Sequence, residues 1–339
     1  MQKLTKMKNR ILYIVLAIVF LSLPLVSLAA DKKKPAKKKT LRVLYWNIQN
    51  GMWAGQPDNY NEFVEWVKSK KPDICVFCEA ATIYYDGTDK QMPQEERYLP
   101  EHWEELAARY GHDYVFRCAQ RDNYPQVITS AYPLDSMAIF VGEAPDRVVS
   151  HGSGWARVQI EGVSQPINIV TAHLWPFRYS YKVRKGDKAV RDASAAAYGG
   201  NYYRVEELKY IFEHTIATAA NPDKEYWIMA GDMNSYSKKD NFKYKYNNAS
   251  LGFLEQDFVA SSSPYYDLVA ESYPGIFCPS HGAHRIDYFY VTKPLLNACK
   301  DVYTEPDSYT SQRDANVGKF VWPSDHLPII ADFNLSKLK

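Results

Sequence analysis

The stretch LRVLYWNI, residues 41–48, decides the fold class. It is a short apolar run rich in β-branched and aromatic residues, which predicts a strand. Phe63, Trp66 and Val67 then recur at the spacing of one helix face. The apolar run Ile74–Cys78 follows and predicts a second, buried strand. A strand, a helix and a strand in this order are typical of a layered α/β fold.

The same order recurs farther along the chain. Ile167–His173 and Trp227–Asn234 predict strands that end in polar residues, and a helix with Leu208 and Ile211 on its apolar face separates them. Short apolar runs divided by turn signals precede them between residues 114 and 171. Two such halves predict two sheets packed face to face, with helices outside. Because no linker-like break interrupts residues 40–339, we expect one domain there.

Residues 1–30 have the three-part layout of a secretory signal peptide. A basic start precedes the apolar run 11–26, and the small residues 27–30 follow it. An uncleaved membrane anchor is the alternative, but the run is shorter than the roughly 20 residues that a span needs. Residues 31–39, with six lysines and one aspartate, predict an extended linker. We therefore expect an exported protein, periplasmic or secreted.

Composition and charge narrow the class of protein. The 339 residues are 46% hydrophobic and 14% aromatic, which suits a large core. The net charge of +2 divides into +4 for residues 1–29, +5 for residues 31–39 and −7 for residues 40–339. That distribution disfavours a uniformly cationic nucleic-acid-binding protein. Cys75 and Cys78 point to opposite faces of a predicted strand, so we expect buried thiols and not a redox pair.

Polar residues recur where the apolar strands end, which is where scaffolds present reactive groups to a common cleft. The carboxylates and amides among them are hard oxygen ligands suited to Mg²⁺ or Mn²⁺, and the histidines can exchange protons near neutral pH. The sequence has no P-loop, GxSxG, HExxH or zinc-type Cys/His cluster, so nucleophilic Ser or Cys catalysis has no support. The elements are Trp46-Asn47, Cys78-Glu79, Ala172-His173, Gly231-Asp232-Met-Asn234, Arg285-Ile-Asp287 and Ser324-Asp325-His326.

In this order the six elements resemble the endonuclease/exonuclease/phosphatase superfamily, over residues 41–333. The Gly-Asp-x-Asn and Ser-Asp-His-x-Pro-Ile pieces are the most specific parts of the resemblance. It implies the DNase I-like fold, a four-layer α/β/β/α sandwich in which two packed, mostly antiparallel sheets are flanked by helices. It also implies Mg²⁺ (or Mn²⁺) as cofactor and hydrolysis of a P–O bond by in-line attack of water.

The resemblance implies a metal site made of Asn47, Glu79 and Asp325. Glu79 would be the main ligand with Asn47 beside it, and Asp325 would act directly or through water. One departure is Cys78, because the family commonly has glutamine before the metal-binding glutamate. We expect this exchange to loosen a contact to Glu79 without removing the ligand.

The resemblance also implies five catalytic residues. Asp232 and Asn234 would position, or deprotonate, the attacking water. His173 and His326 would contact the scissile phosphate. Asp287 would accept a hydrogen bond from His326, which fixes its tautomer and favours its protonated form.

Two basic segments follow the motifs along the chain. Residues 178–192 carry a net charge of +4 and residues 238–245 carry +3, with tyrosines between the charges. Basic groups attract phosphates and aromatic faces stack on bases or sugars, so a positive funnel beside the cleft is one hypothesis. Solvated surface loops are the other. The candidate substrate-binding residues are Arg178, Lys182, Arg184 and Lys185.

The sequence leaves the substrate open. We expect an exported, metal-dependent phosphoesterase, with a phosphodiester of the nuclease type favoured slightly. A phosphatase or phosphodiesterase acting on small or lipid-linked phosphates is the alternative, with sphingomyelin the least supported substrate. A non-catalytic binding protein that kept the fold is disfavoured, since each implied position holds a competent residue. We expect a monomer with a phosphate-ester substrate and no obligate protein partner.

Overall fold

A computed structural model describes most of the chain after residue 37. The described residues are 38–52, 58–85, 88–118, 122–143, 148–183, 188–246, 252–304, 306–312 and 322–339. The predicted signal peptide and most of the predicted linker lie outside them, so both stay predictions. Within the described ranges, no helix combines the length and apolarity needed to cross a membrane.

The regular elements follow the apolar runs of the sequence. The strands are β1 (Thr40–Asn47), β2 (Ile74–Cys78), β3 (Tyr114–Cys118), β4 (Gln126–Ser130), β5 (Leu134–Gly142), β6 (Val148–Val158), β7 (Ile167–His173), β8 (Tyr226–Asp232), β9 (Tyr266–Asp267), β10 (Asp287–Val291), β11 (Cys299–Thr304) and β12 (Ile329–Asn334). The helices are α1 (Asn61–Lys70), α2 (Trp103–Arg109), α3 (Lys188–Ala196), α4 (Gly199–His214), α5 (Asn241–Tyr244), α6 (Leu254–Ser262), α7 (Leu268–Ser272) and α8 (Lys293–Ala298).

The strands form two six-stranded sheets. Their orders are β11-β12-β1-β2-β4-β3 and β5-β6-β7-β8-β10-β9. Only β1–β2 and β7–β8 pair in parallel within these sheets, and the other neighbours are antiparallel. Parallel neighbours need a crossover connection, which α1 and α4 supply. The predicted strand–helix–strand repeat and the mostly antiparallel sheets are confirmed.

Three apolar clusters separate four layers. The first lies between the sheets and includes Val76 of β2 and Ile169 of β7. The second joins the first sheet to α1 and α2 through Trp66 and Trp103. The third joins the second sheet to α4 and α6 and includes Ile211 of α4 and Val259 of α6. The predicted four-layer sandwich is therefore confirmed.

The two cysteines of β2 lie in different layers. Cys75 is buried in the outer cluster and Cys78 in the cluster between the sheets, because successive side chains of a strand alternate faces. Both thiols are free. The prediction that they are buried apolar groups is confirmed.

Strand β6 corrects one boundary. The sequence predicts two strands, Val148–His151 and Trp155–Ile160, divided by the small residues 152–154. The structure has a single strand through them. A Cβ on Gly154 would lie 2.5 Å from Sγ of Cys118, so this glycine permits close packing between the sheets and does not mark a turn. Helix α3, within a segment predicted to be loop, and the short strands β9 and β11 were also not predicted.

The parallel pairs determine where the polar strand ends meet. Asn47 is opposite Cys78 in the β1–β2 pair, and His173 is opposite Asp232 in the β7–β8 pair. The two sheets touch there, since Sγ of Cys78 donates a hydrogen bond to the carbonyl of Ala172 (3.4 Å). The carboxyl ends of four strands, two from each sheet, therefore converge at one edge of the sandwich.

Candidate active site

A cleft of about 750 Å³ opens at this edge. The motif residues that line it are Glu79, His173, Asp232, Asn234, Asp325 and His326. Asn47 and Asp287 lie behind this lining and contact it through hydrogen bonds. The fold thus brings all eight of the implied metal and catalytic residues together.

The amide of Asn47 joins two carboxylates from different sheets. Its Nδ2 donates to Oε1 of Glu79 (3.3 Å) and to Oδ2 of Asp232 (3.2 Å). Its Oδ1 accepts from the backbone N–H of Gln49 (3.1 Å), which fixes the amide in that orientation. Asn47 therefore sets the distance between the two acidic groups.

A left-handed turn wraps around Glu79. Asn50 and Gly51 have φ of 52° and 67°, and Glu79 itself has φ of 55°. The N–H of Asn50 donates to Oε2 of Glu79 (3.0 Å). A Cβ on Gly51 would lie 2.8 Å from the carbonyl of Ala81, so only glycine fits there. Backbone conformations of this kind, which the surroundings must hold, concentrate at functional sites.

The groups around Glu79 fit a divalent cation. Burial, and then the charge of Asp325, raise the pKa of the Glu79 carboxyl. Oδ1 of Asn50 is buried and has no hydrogen-bond partner within the described residues. A partly buried carboxylate and an unused amide oxygen are hard donors of the kind that Mg²⁺ and Mn²⁺ prefer.

Asp232 is held by the turn that follows β8. A Cβ on Gly231 would lie 1.9 Å from the carbonyl of Ala172, which explains the glycine of Gly-Asp-x-Asn. Oδ1 of Asp232 accepts from the N–H of Asn234 (2.9 Å), and Nδ2 of Asn234 donates to the carbonyl of Leu174 (2.9 Å). Burial, and then the charge of Asp287, raise the pKa of Asp232 to about 7. This carboxyl can therefore gain or lose a proton near neutral pH.

His326 carries the positive charge of the cleft. Burial alone would lower the pKa of its imidazole, but the charge and hydrogen bond of Asp287, and then the charge of Asp232, raise that pKa to about 10. The carboxylate of Asp287 in turn accepts a hydrogen bond from the hydroxyl of Tyr45 (2.6 Å). The backbone N–H of Asp287 donates to Oγ of Ser280 (3.0 Å). Nε2 of His326 lies 3.8 Å from Oδ2 of Asp232.

His173 lies on the other side of Asp232 and is neutral. Its Nε2 is 3.8 Å from Oδ2 of Asp232 and 4.0 Å from Oε1 of Glu79. Burial, and then the charges of His151 and His326, lower the pKa of its imidazole well below the usual value. A neutral imidazole and a charged one therefore flank the same carboxylate.

Two further histidines line the cleft and were missed by the sequence analysis. The ring of His151 of β6 packs against that of His173, with centroids 4.3 Å apart and planes tilted by 33°. Its Nδ1 lies 2.7 Å from Oδ2 of Asp122. Nε2 of His281 lies 3.3 Å from Oδ2 of Asp325. Neither residue belongs to a motif. The sequence signal for His151 was a polar residue within an apolar strand. For His281 it was the short distance along the chain to Arg285-Ile-Asp287.

Helix α4 fixes the loop that follows His173. Glu207 accepts from the N–H of Trp175 (2.9 Å), and Arg204 donates to the carbonyl of the same residue (2.8 Å). Both side chains are buried. The next residues of this loop present Phe177 and Tyr179 to the cleft, stacked with ring centroids 5.1 Å apart and planes 4° apart.

The described basic side chains of the two segments do not line the cleft, although Tyr179 of the first segment does. Arg178 and Lys182 are exposed and lie outside its lining, while Arg184 and Lys185 lie outside the described residues. In the second segment, Lys238 forms an ion pair with Asp257, and Lys239 forms another with Glu271. These partners neutralise charge that the sequence analysis counted toward a positive funnel.

Comparison with known proteins identifies the family. The sequence model of the Endonuclease/Exonuclease/phosphatase family matches residues 44–326. The chain belongs to this family. Its members are hydrolases of phosphoric esters. No curated protein matches the sequence.

Several solved structures are similar in fold to the chain over most of its length. An AP endonuclease from Archaeoglobus fulgidus is 17% identical with a TM-score of 0.54, over 86% of this chain and 99% of that one. The 3′ phosphatase NExo from Neisseria, bound to a product DNA hairpin, is 14% identical with a TM-score of 0.56, over 87% of this chain and 99% of that one. TDP2 from D. rerio, complexed with a single-stranded DNA product, is 14% identical with a TM-score of 0.55, over 88% of this chain and 100% of that one. At these identities the likeness shows a shared DNase I-like fold.

Proposed function

We propose that this member of the endonuclease/exonuclease/phosphatase family is an exported, divalent-metal-dependent phosphoesterase that prefers phosphodiesters. The observation that supports it most is the arrangement around Asp232. Its carboxylate, whose pKa burial raises to about 7, lies 3.8 Å from a neutral imidazole, His173, and 3.8 Å from a charged one, His326. A base between two hydrogen-bonding imidazoles suits the attack of water on an anionic ester.

Asp232 is the group that activates water in this proposal. Its Oδ1 is occupied by the N–H of Asn234, and its Oδ2 faces the imidazoles and the amide of Asn47. A water held at Oδ2 gives a proton to the carboxylate as its oxygen approaches phosphorus. Asn234 and Asn47 keep the carboxylate in place during this transfer.

The imidazoles bind the phosphate. His326, kept protonated by Asp287, donates from Nε2 to a non-bridging phosphate oxygen and stabilises the charge that develops there. Neutral His173 offers a second hydrogen-bonding nitrogen, Nε2, toward the same region of the cleft. Neither group forms a covalent bond to phosphorus, and the leaving oxygen departs opposite the attacking water.

Glu79 would hold a Mg²⁺ or Mn²⁺ ion together with Asn50 and Asp325. Asn47, predicted to lie beside Glu79 in this site, would orient that carboxylate, since its amide donates to Glu79 and accepts from Gln49. When bound, such an ion neutralises phosphate charge and stabilises the leaving oxygen. The left-handed turn at Gln49–Met52 orients the partly buried carboxylate of Glu79 for this role.

A phosphodiester with a flat group beside the phosphate suits the cleft. Phe177 is 46% exposed and stacks on Tyr179 at the rim, and such faces bind nucleobases by stacking. Ion pairs reduce the charge of the nearby lysines, so the cleft offers few contacts to a long polyanion. A short oligonucleotide or a nucleotide diester is therefore favoured over a long duplex.

A substrate panel tests the proposal. Purified protein would be assayed with Mg²⁺ on bis-p-nitrophenyl phosphate, p-nitrophenyl phosphate, single-stranded oligonucleotides and sphingomyelin vesicles. We expect the highest kcat/KM for diesters, and loss of activity with EDTA. A higher kcat/KM for the monoester would contradict the diesterase and indicate a phosphatase. No turnover on any substrate would favour a binding protein that kept the fold.

A further inference from the structure

Two imidazoles and a carboxylate meet at one wall of the cleft. Oδ2 of Asp325 lies 3.3 Å from Nε2 of His281, and its Oδ1 lies 3.8 Å from Nε2 of His326. One ligand atom from each of the three residues lies within 4.8 Å of the other two. Ligands about 2.0–2.2 Å from a tetrahedral zinc ion are roughly 3.3–3.6 Å apart. The distance between His281 and Asp325 has the value of a zinc site, and the other two pairs lie within 4.8 Å, so a small closing of the side chains would place all three groups around one ion.

The backbone holds the two imidazoles in place. His281 and His326 are partners in an isolated antiparallel bridge, and the N–H of Leu327 donates to the carbonyl of Ser280 (2.7 Å). Side chains directly across such a bridge are neighbours, and here the ring centroids are 4.6 Å apart. A metal ion would find these two ligands already side by side.

The outer contacts of His326 are those of a metal-bound histidine. Its Nδ1 lies 2.8 Å from Oδ2 of Asp287, and imidazoles that bind metals commonly give their other N–H to a carboxylate. That contact leaves Nε2 to face Asp325 and His281. His281 lies 44 positions before Asp325 along the chain. The sequence therefore shows no short spacing of the kind typical of zinc ligands.

The charge of the cleft also leaves room for a second cation. Four carboxylates crowd it within the described residues: Glu79, Asp232, Asp287 and Asp325. A divalent ion at Glu79 would offset the charge of two carboxylates, so the wall at Asp325 would remain acidic.

We propose that His281, Asp325 and His326 bind Zn²⁺ at a site that shares Asp325 with the proposed Glu79 site but has two imidazole ligands of its own, and that zinc bound there inhibits the enzyme. Nitrogen ligands select zinc over magnesium. The ion displaces the Nε2 proton of His326 to solvent and occupies the atom that donates to phosphate. The inhibition rests on the proposed function, whereas the binding of zinc does not.

Zinc titration of matched variants tests the site. Isothermal titration calorimetry with ZnCl₂ would compare the wild type with His281→Asn and His284→Asn. The side chain of His281 is 36% exposed, so its loss spares the core. His284 is on the same hairpin, but its ring packs on Tyr236, 5.4 Å away. We expect His281→Asn to weaken zinc binding by about 100-fold or more and His284→Asn to leave it unchanged.

A second readout makes the result independent of the variant. Zinc should protect His281 of the wild type from diethyl pyrocarbonate, measured by peptide mass. Equal zinc affinity in the wild type and His281→Asn, or no protection, would overturn the site.

The same preparations, assayed with Mg²⁺ on bis-p-nitrophenyl phosphate, should be inhibited by zinc only where His281 is present. Zinc that binds through His281 without inhibiting turnover would overturn the inhibition. Zinc binding in a protein that hydrolyses no ester would leave the site standing and sink the proposed function instead.

Discussion

Nδ1 of His326 lies 2.8 Å from Oδ2 of Asp287, inside the wall of the cleft. Asp287 is fully buried and is held from two further sides, by Tyr45 and Ser280. A carboxylate in such surroundings stabilises the protonated form of its imidazole partner. The pair therefore places a fixed positive charge opposite the buried carboxylates of the cleft.

Removing the charge of Asp287 should move the alkaline limb of the pH profile. Asp287 raises the pKa of His326 to about 10 against the opposing effect of burial, so the wild type should lose activity only as the pH approaches that value. In Asp287→Asn the pKa of His326 falls, and the loss should begin at lower pH. We also expect kcat to fall roughly 10²–10⁴-fold. A pH–rate profile with an unchanged alkaline limb would contradict the role of this pair.

Replacing Asp232 by asparagine should remove activity and increase stability. Burial raises the pKa of this carboxyl to about 7, so any stability gained from its protonation is lost as the pH rises through that value. At pH 8 the Asp232→Asn variant should have the higher Tm, while kcat falls roughly 10²–10⁴-fold. Calorimetry and kinetics measure the two effects. A lower Tm together with full activity would show that Asp232 is only a structural residue.

Divalent cations should stabilise the folded protein through Glu79. A ligand that binds only the native state raises Tm, so Mg²⁺ or Mn²⁺ should raise the Tm of the wild type and not that of Glu79→Gln. Replacing Asn50 by alanine removes the unpartnered amide oxygen and should weaken the metal affinity by about tenfold. An equal rise in Tm in all three proteins would place the ion elsewhere.

The basic segments should differ in their effect on substrate binding. Reversing Lys182, Arg184 and Lys185 to glutamate should raise KM steeply at low salt, because exposed charges steer anions only where salt does not screen them. Exchanging Lys238 and Lys239 for glutamine should leave KM unchanged, since carboxylates already pair with both ammonium groups. Identical salt dependence in the wild type and the triple variant would remove the first segment from the substrate path.

Much of the fold is predictable because strand ends, apolar runs and crossover helices are local features. The run of residues 41–48 and the run Ile74–Cys78 needed only their own composition to be identified as strands. Strand β6 was divided wrongly because the reason for Gly154 is a contact with Cys118 in the other sheet, and no local pattern contains that contact.

The part of the candidate site that was predictable from the sequence consists of the residues at strand ends. Motif residues such as Glu79 and Asp232 follow apolar runs directly, so their convergence follows from the sheet. His281 and His151 were missed because their partners, Asp325 and Asp122, are 44 and 29 residues away. Distances of that kind depend on tertiary packing, which residue spacing does not encode.

The most direct test of the account is metal-dependent hydrolysis of bis-p-nitrophenyl phosphate by the wild type, Glu79→Gln and His214→Asn. His214 packs on Phe140 and Tyr210 and is absent from the cleft lining, so its variant is a control for handling and folding. We predict turnover with Mg²⁺ or Mn²⁺ in the wild type and His214→Asn, loss with EDTA, and at least a roughly 100-fold lower kcat/KM in Glu79→Gln. Full activity of Glu79→Gln, or turnover that EDTA leaves unchanged, would contradict a metal-dependent phosphoesterase centred on Glu79.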